Sequence, residues 1–221
     1  MCKQYRLAET VVSALVDVSL SVYPGEVVAV MGPSGCGKTT LLNCLTGLDE
    51  VTSGSVRIGG RELTDLSDRE RTALRAREIG FVFQTANLLP VLNGVENVEL
   101  PLLVSGVRPR EARARALEAI EAVGMRERAR HRPAQLSGGQ AQRFAIARAL
   151  ATRPAIVWAD EATGQLDSRA SNDLLELMLR LNAEQGLTLV LITHAREVAA
   201  KAKRLIEMRD GAIVGDRPLV G

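Results

Sequence analysis

Eight consecutive residues, Gly32-Pro33-Ser34-Gly35-Cys36-Gly37-Lys38-Thr39, set glycines, a lysine and a hydroxyl in the spacing G-x-x-x-x-G-K-[ST]. That spacing predicts a site for the phosphates of a nucleoside triphosphate. Glycines let backbone N–H groups turn inward around an anion in conformations closed to larger residues. A helix opening at Lys38 aims its positive dipole end at the same anion. Lys38 reaches the β- and γ-phosphates, and the Thr39 hydroxyl ligates Mg²⁺. Thr40, next along the helix, is grouped with the nucleotide-binding residues. Cys36 falls inside the loop, so MgATP is expected to slow alkylation of its thiol.

Two further constellations bear on the same chemistry. Ile156-Val157-Trp158-Ala159 is an apolar strand that ends in Asp160-Glu161. Asp160 is placed to hold Mg²⁺, directly or through water, and Glu161 to polarise an attacking water. A solvated strand end reads the same way in isolation; the phosphate loop gives the pair its chemical meaning. Leu136-Ser137-Gly138-Gly139-Gln140 precedes a helical run, Ala141 to Leu150. Ser137 fits an N-cap, and two glycines at a helix start form a second anion site. A plain N-capped helix is the simpler reading of those five residues. If both sites are real and lie apart on one chain, a single phosphate tail cannot fill them. A self-complementary dimer resolves this, each copy closing its first site on the other's second.

The elements that must position these groups alternate. Val27 to Met31, Ile79 to Phe83, Ile156 to Ala159 and Leu187 to Ile192 are short apolar runs that read as buried strands. Ser55 to Ile58 with Gly59-Gly60 reads as a hairpin, and Arg204 to Met208 with Ala212 to Val214 as a closing one. Helices are expected from Lys38 to Leu48 and around Leu117, Ile120 and Val123, which recur every three residues between charged neighbours. Pro109 suits a first helical turn and Gly124 a helix end. The whole reads as one α/β domain, a phosphate-binding core over 1–87 and 137–221 with a mixed, largely parallel sheet. An antiparallel β edge and a helical insertion over 88–136 complete it.

Size and charge agree with this class. The chain has 221 residues, enough for a sizeable core, and 28 basic against 26 acidic residues give a net charge of +2. That balance argues against a nucleic-acid partner or bulk attraction to an anionic membrane. The Arg126, Arg128, Arg130, His131, Arg132 cluster is interleaved with acids and lacks aromatics, so it reads as a solvated loop. Three cysteines at irregular spacing read as free thiols of a reducing compartment. No run approaches the ~18 apolar residues of a spanning helix, and Met1 to Arg6 hold no apolar signal region, so export is not expected.

Leu-Ser-Gly-Gly-Gln is also the signature of the ATP-binding cassette (ABC) family, and the chain resembles its nucleotide-binding subunits over nearly its full length, motif by motif. The resemblance implies the P-loop NTPase fold and an ATPase that dimerises around two MgATP. In that arrangement Ser137, Gly138, Gly139 and Gln140 of one copy complete the phosphate site of the other. It further implies that Tyr5 stacks on adenine, and that Gln84 contacts Mg²⁺ or water and senses a membrane partner. Leu166-Asp167 crosses the dimer interface, and His194 contacts the γ-phosphate and pairs with Glu161. A permease subunit would dock near 84–101 and hold the chain peripherally on the inner, cytoplasmic face of the membrane. Asn87-Leu88-Leu89-Pro90, Glu96 to Leu102 and Ala162 to Ser168 are similar to the lipoprotein-release, macrolide-export and cell-division members. There the membrane subunits act as a lever.

Relative to that family, the segment before Tyr5 is brief, so the first strand is expected to be short or missing. Gln165 and Cys36 are departures, and no regulatory extension is expected after Gly221. Two alternatives share the signature. One is an ATP-gated regulator of a non-transporting membrane complex. The other is a nucleic-acid-linked ATPase, which would need a long coiled coil between phosphate loop and signature.

Overall fold

The computed structural model describes residues 1–7 and 10–219. It opens with an antiparallel pair, β1 (Lys3–Leu7) and β2 (Thr10–Leu15). The sequence reading expects this first strand to be short or missing, yet five residues form it. The reason is local anchoring. Cys2 bridges Ser53, and the Met1 ammonium donates to the Val18 carbonyl at 2.7 Å.

The main sheet has six strands. In chain order they are β3 (Val27–Met31), β6 (Ile79–Phe83), β7 (Ile156–Asp160), β8 (Leu189–Ile192), β9 (Arg204–Arg209) and β10 (Ala212–Pro218); a small hairpin, β4 (Arg57–Ile58) and β5 (Arg61–Glu62), stands apart. The spatial order is β10-β9-β3-β8-β7-β6, parallel throughout except for β10, which closes antiparallel on β9. This matches the largely parallel sheet that the alternating pattern predicts, with the closing hairpin of β9 and β10 making it mixed.

Helices cover both faces, so the central strands carry apolar side chains at every position. Val27, Ala29, Val157, Ala159, Leu189 and Leu191 face one way, packed with α5 (Gly138–Ala151) and α6 (Ser168–Gln185). Val28, Val30, Trp158, Val190 and Ile192 face the other way. They meet Leu41 and Leu42 of α1 (Lys38–Leu45) and Leu74 of α2 (Asp68–Glu78). The phosphate loop thus joins a strand buried on both faces to a helix whose apolar side is clamped on the sheet.

Between residues 88 and 136 the described chain forms no strand. It holds α3 (Gly94–Val104), α4 (Pro109–Ala122) and two short 3₁₀ turns. Pro109 occupies the first turn of α4, and Gly124 follows its end with φ +71°. The buried stripe is Ala112, Ala116, Ala119 and Ile120, with Val123 just beyond; Leu117 is only partly buried. Small residues on that face let α4 lie close to α3 and α5. A short last helix, α7 (Arg196–Ala199), precedes β9.

Helices α2 and α6 fall outside the strand-and-loop reading. α2 buries a single side chain, Leu74, and leaves almost no apolar periodicity to detect. α6 has a stronger signal, an Asp167 N-cap, a Gly186 C-cap and a stripe of Leu174, Leu177, Met178 and Leu181.

The core's weight rests on α5, where Phe144 is fully buried. Phe144→Ala is expected to lower the unfolding free energy by about 3–5 kcal/mol through the lost ring and the cavity it leaves. Urea unfolding followed by circular dichroism measures this.

Candidate functional site

The turn between β3 and α1 is built to leave donors free. Gly37 is the N-cap at φ +100°, makes no side-chain cap, and no acid follows in the first turn. By contrast α2, α3 and α5 each close with a capping box. Gly32 is forced by crowding. A Cβ there would lie 2.4 Å from the Met208 carbonyl and 2.5 Å from the Cys36 sulfur. The Cys36 thiol is therefore tucked beneath the loop, 3% exposed, whereas Pro33, Ser34 and Gly35 face solvent. Lys38 closes the loop on itself, its Nζ donating to the carbonyls of Gly32 at 2.8 Å and Pro33 at 2.9 Å.

In front of this loop lies a cleft of ≈ 510 Å³, lined among others by Ser34, Gly35, Lys38, Thr39, Gln84, Asp160 and Glu161. The Asp160 carboxyl is pushed up, first by burial and then by the charge of Glu161, with Lys38 opposing. A cation arriving there relieves that repulsion. The Thr39 hydroxyl, the Gln84 amide oxygen and the Asp160 carboxylate are all hard oxygen donors. Few carboxylates plus substrate oxygens is the environment Mg²⁺ accepts.

Asp160 and Glu161 diverge because Glu161 leaves the strand in the left-handed region at φ +48°. Its amide still bonds the Ile192 carbonyl, and its own carbonyl accepts from Gly164 N–H. Its carboxylate meets His194, Nδ1 to Oε1 at 2.8 Å. His194 follows β8 on a turn in which the Thr193 hydroxyl accepts from Ala195 N–H.

Gln84 caps the end of β6, and its backbone is held from α5. Gln142 Nε2 donates to the carbonyls of Phe83 at 2.9 Å and Gln84 at 2.7 Å. Two turns on, Arg148 donates to Asn87 at 2.6 Å and Ala86 at 2.8 Å. Neither residue is singled out by the sequence reading. Each bond joins residues about sixty positions apart, and nothing in local periodicity announces such a contact.

The second glycine site is at the N-terminus of α5. Ser137 caps the helix, its Oγ accepting from Gln140 N–H, and Gln140 Oε1 accepts from Ser137 N–H. Gln140 is thus committed to its own helix, and the open face of the tip is Ser137 and Gly138, both exposed. None of residues 137–140 lines the phosphate cleft. A Cβ on Gly138 would meet Leu166 at 3.4 Å and one on Gly139 would meet Ala170 at 3.5 Å. Leu166 and the first turn of α6 therefore stand behind this tip, and Asp167 is engaged in capping α6.

Tyr5 sits on β1 with its phenol donating to Asp49 at 2.6 Å. Thr40, in the first turn of α1, is a near neighbour.

A family model described as ABC transporter matches residues 15–164. The macrolide export ATP-binding/permease protein MacB of Syntrophobacter fumaroxidans is 49% identical, across 99% of this chain and 32% of that protein. An uncharacterized ABC transporter ATP-binding protein of Thermotoga maritima is also 49% identical, across 96% of this chain and 91% of that one. Among solved structures, the ATP-binding cassette MJ0796, a dimer in a post-hydrolysis state bound to ADP and Pi, aligns with a TM-score of 0.88 at 44% identity. It covers 100% of this chain and 97% of that one. The chain spans about a third of the length of the MacB relatives it matches.

Arg148→Met is expected to free the 86–87 carbonyls while leaving α5 in place. Hydrogen bonds from a charged group contribute about 1.5–3 kcal/mol, so amide exchange at Thr85 to Leu88 should quicken roughly ten- to a hundredfold. Hydrogen–deuterium exchange by mass spectrometry reads this, with Val157 to Ala159 as the unchanged control.

Proposed function

The chain belongs to the ABC transporter family, and from that premise we propose that it is an ATP-hydrolysing nucleotide-binding unit. Two copies would dimerise around two MgATP to drive a membrane partner. The observation that carries this is the separation of the two glycine-lined helix tips. The phosphate cleft contains no residue of 137–140, while Ser137 and Gly138 are exposed and leave their tip open.

In this reading the triphosphate takes the N–H groups that α1 leaves free. Lys38 exchanges the loop carbonyls for phosphate oxygens, a stronger charge-assisted contact. Thr39, Gln84 and Asp160 would hold Mg²⁺, which when bound neutralises phosphate charge. Glu161 orients the attacking water and accepts its proton. His194, already bonded to Glu161, fixes that carboxylate and faces the γ-phosphate. Ser137, Gly138 and Gly139 of the second copy cover the same phosphate, with Gln140 keeping their helix end in shape. Thr40 and the loop residues Gly32, Pro33, Ser34, Gly35, Cys36 and Gly37 supply the cradle, and Tyr5 the surface on which adenine stacks. Loss of the γ-phosphate removes the bridge, and the halves part.

The helical stretch 88–136, with the segment from Gln84 to Pro101 that runs into α3, would receive the membrane partner. Exposed Leu89, Val91, Leu103 and Val104 support this, since they offer apolar surface on or beside that segment. Gln84 then connects the docking segment to the cleft. Such docking places the chain on the inner face of the membrane. The longest helix of the stretch has 14 residues, too few for the coiled coil of a nucleic-acid-linked ATPase.

Glu161→Gln is expected to bind MgATP as the native chain does, to lose about 10²–10⁴ of its turnover, and to elute as a dimer when ATP is present. Phosphate release and gel filtration measure both. Monomers for native chain and variant alike, with ATP bound, would overturn the sandwich.

A further inference from the structure

One carboxylate organises the tyrosine assigned to the base. Asp49 follows α1 and accepts from two partners at once, Lys3 Nζ on Oδ1 at 2.6 Å and the Tyr5 phenol on Oδ2 at 2.6 Å. Lys3 also donates to the Glu50 carbonyl at 2.7 Å, and its ammonium stands over the Tyr5 ring, 4.8 Å from the centroid. Lysine is rarely buried without a purpose, and Lys3 is 9% exposed. The ring beside it is half-buried. Tyr5 is thus fixed at its hydroxyl by Asp49 and overlain by a cation.

We propose that Lys3 and Asp49 are positioning residues for nucleotide binding, holding the Tyr5 ring in the orientation that receives the base. This rests on the reading of Tyr5 as the stacking surface.

A tyrosine on a two-stranded hairpin is otherwise free to change rotamer, and ordering it on binding costs affinity. The Asp49 bond removes that freedom in advance. A cation over one face draws on the ring's electron density and leaves the opposite face better suited to an electron-rich purine. The cluster is also tied to the helix that binds phosphate, through Asp49 just beyond α1 and Thr40 in its first turn. Base and phosphate sites therefore share one rigid element. The protonation states agree. The Tyr5 phenol is pushed up, first by its bond to Asp49 and then by burial, so it stays a donor. Burial pulls Lys3 down, but Asp49 outweighs it and the net direction is up. Burial pushes Asp49 up, but Lys3 and Tyr5 reverse this.

The test uses calorimetric binding of two probes to the full chain, MgATP and magnesium tripolyphosphate, which has no base. The variants are Tyr5→Ala, Tyr5→Phe, Asp49→Asn, Lys3→Met and Lys3→Arg. Tyr5→Ala, Tyr5→Phe, Asp49→Asn and Lys3→Met should weaken MgATP about three- to tenfold and leave tripolyphosphate unchanged, and Lys3→Arg should restore most of the Lys3→Met loss. If Tyr5→Ala weakens MgATP while Tyr5→Phe, Asp49→Asn and Lys3→Met do not, the tether is dispensable and the proposal falls, though stacking stands. If Tyr5→Ala leaves MgATP unchanged, the stacking reading fails and takes the proposal with it. If the variants weaken both probes equally, the cluster merely braces α1, and the proposal is overturned.

Discussion

The first turn of an α-helix presents N–H groups that have no partner within the helix, and a protein must settle them. In this chain α2, α3 and α5 do so with their own side chains, through Ser67-Glu70, Asn93-Glu96 and Ser137-Gln140. Helix α1 does not. Its cap is a left-handed glycine, no acid stands in its first turn, and the loop before it is packed so tightly on β9 that Gly32 admits no side chain. The first-turn donors of α1 are left without a side-chain cap at the edge of the cleft, and the elements on either side are held in the core. β3 is buried on both faces, and Leu41 and Leu42 pin α1 to the sheet. The unsatisfied tip is a standing demand for an anion, and the other residues of the cleft respond to that demand.

Their response is largely electrostatic. Two carboxylates, Asp160 and Glu161, sit beside Lys38 at the end of one strand, and burial already disfavours the charge on Asp160. Adjacent acids at a strand end repel, and the left-handed turn at Glu161 separates them by sending the second toward His194. A left-handed non-glycine residue costs about 1–2 kcal/mol. Here the cost is offset by main-chain bonds to Ile192 and Gly164 and by the pairing with histidine. The same turn gives the two acids separate surroundings, Asp160 near Lys38 and Glu161 paired with His194.

Much of this was legible in the residues. The phosphate loop, the acidic strand end and the Ser-Gly-Gly tip are contiguous, so spacing alone reveals them. The apolar runs that became β3, β6, β7 and β8 were visible because strands buried on both faces need no alternation. What escaped was non-local or weakly patterned. β1 owes its length to Cys2 meeting Ser53, a pairing across half a hundred residues. α2 hides a single leucine. Gln142, Arg148, Lys3 and Asp49 are ordinary polar residues until the fold brings them to a carbonyl or a ring. Cys36 shows the limit from the other side. Its position in the loop suggests a thiol at the phosphates, while only the fold shows that the side chain is buried against Gly32 with its sulfur 3.9 Å from Lys38 Nζ.

Helix α5 connects the second glycine tip to the segment that carries Gln84. Its N-terminal tip is capped, open on one side and absent from the phosphate cleft of its own chain. Further along, Gln142 and Arg148 grip the backbone from Phe83 to Asn87, the segment that carries Gln84 into that cleft. One helix thus bears the exposed Ser137–Gly138 tip and holds the segment that borders the phosphate cleft. Four hydrogen bonds to main-chain carbonyls tie this segment to α5, two of them from the charged Arg148 guanidinium. That linkage resides in α5 itself and requires no path of intermediate side chains.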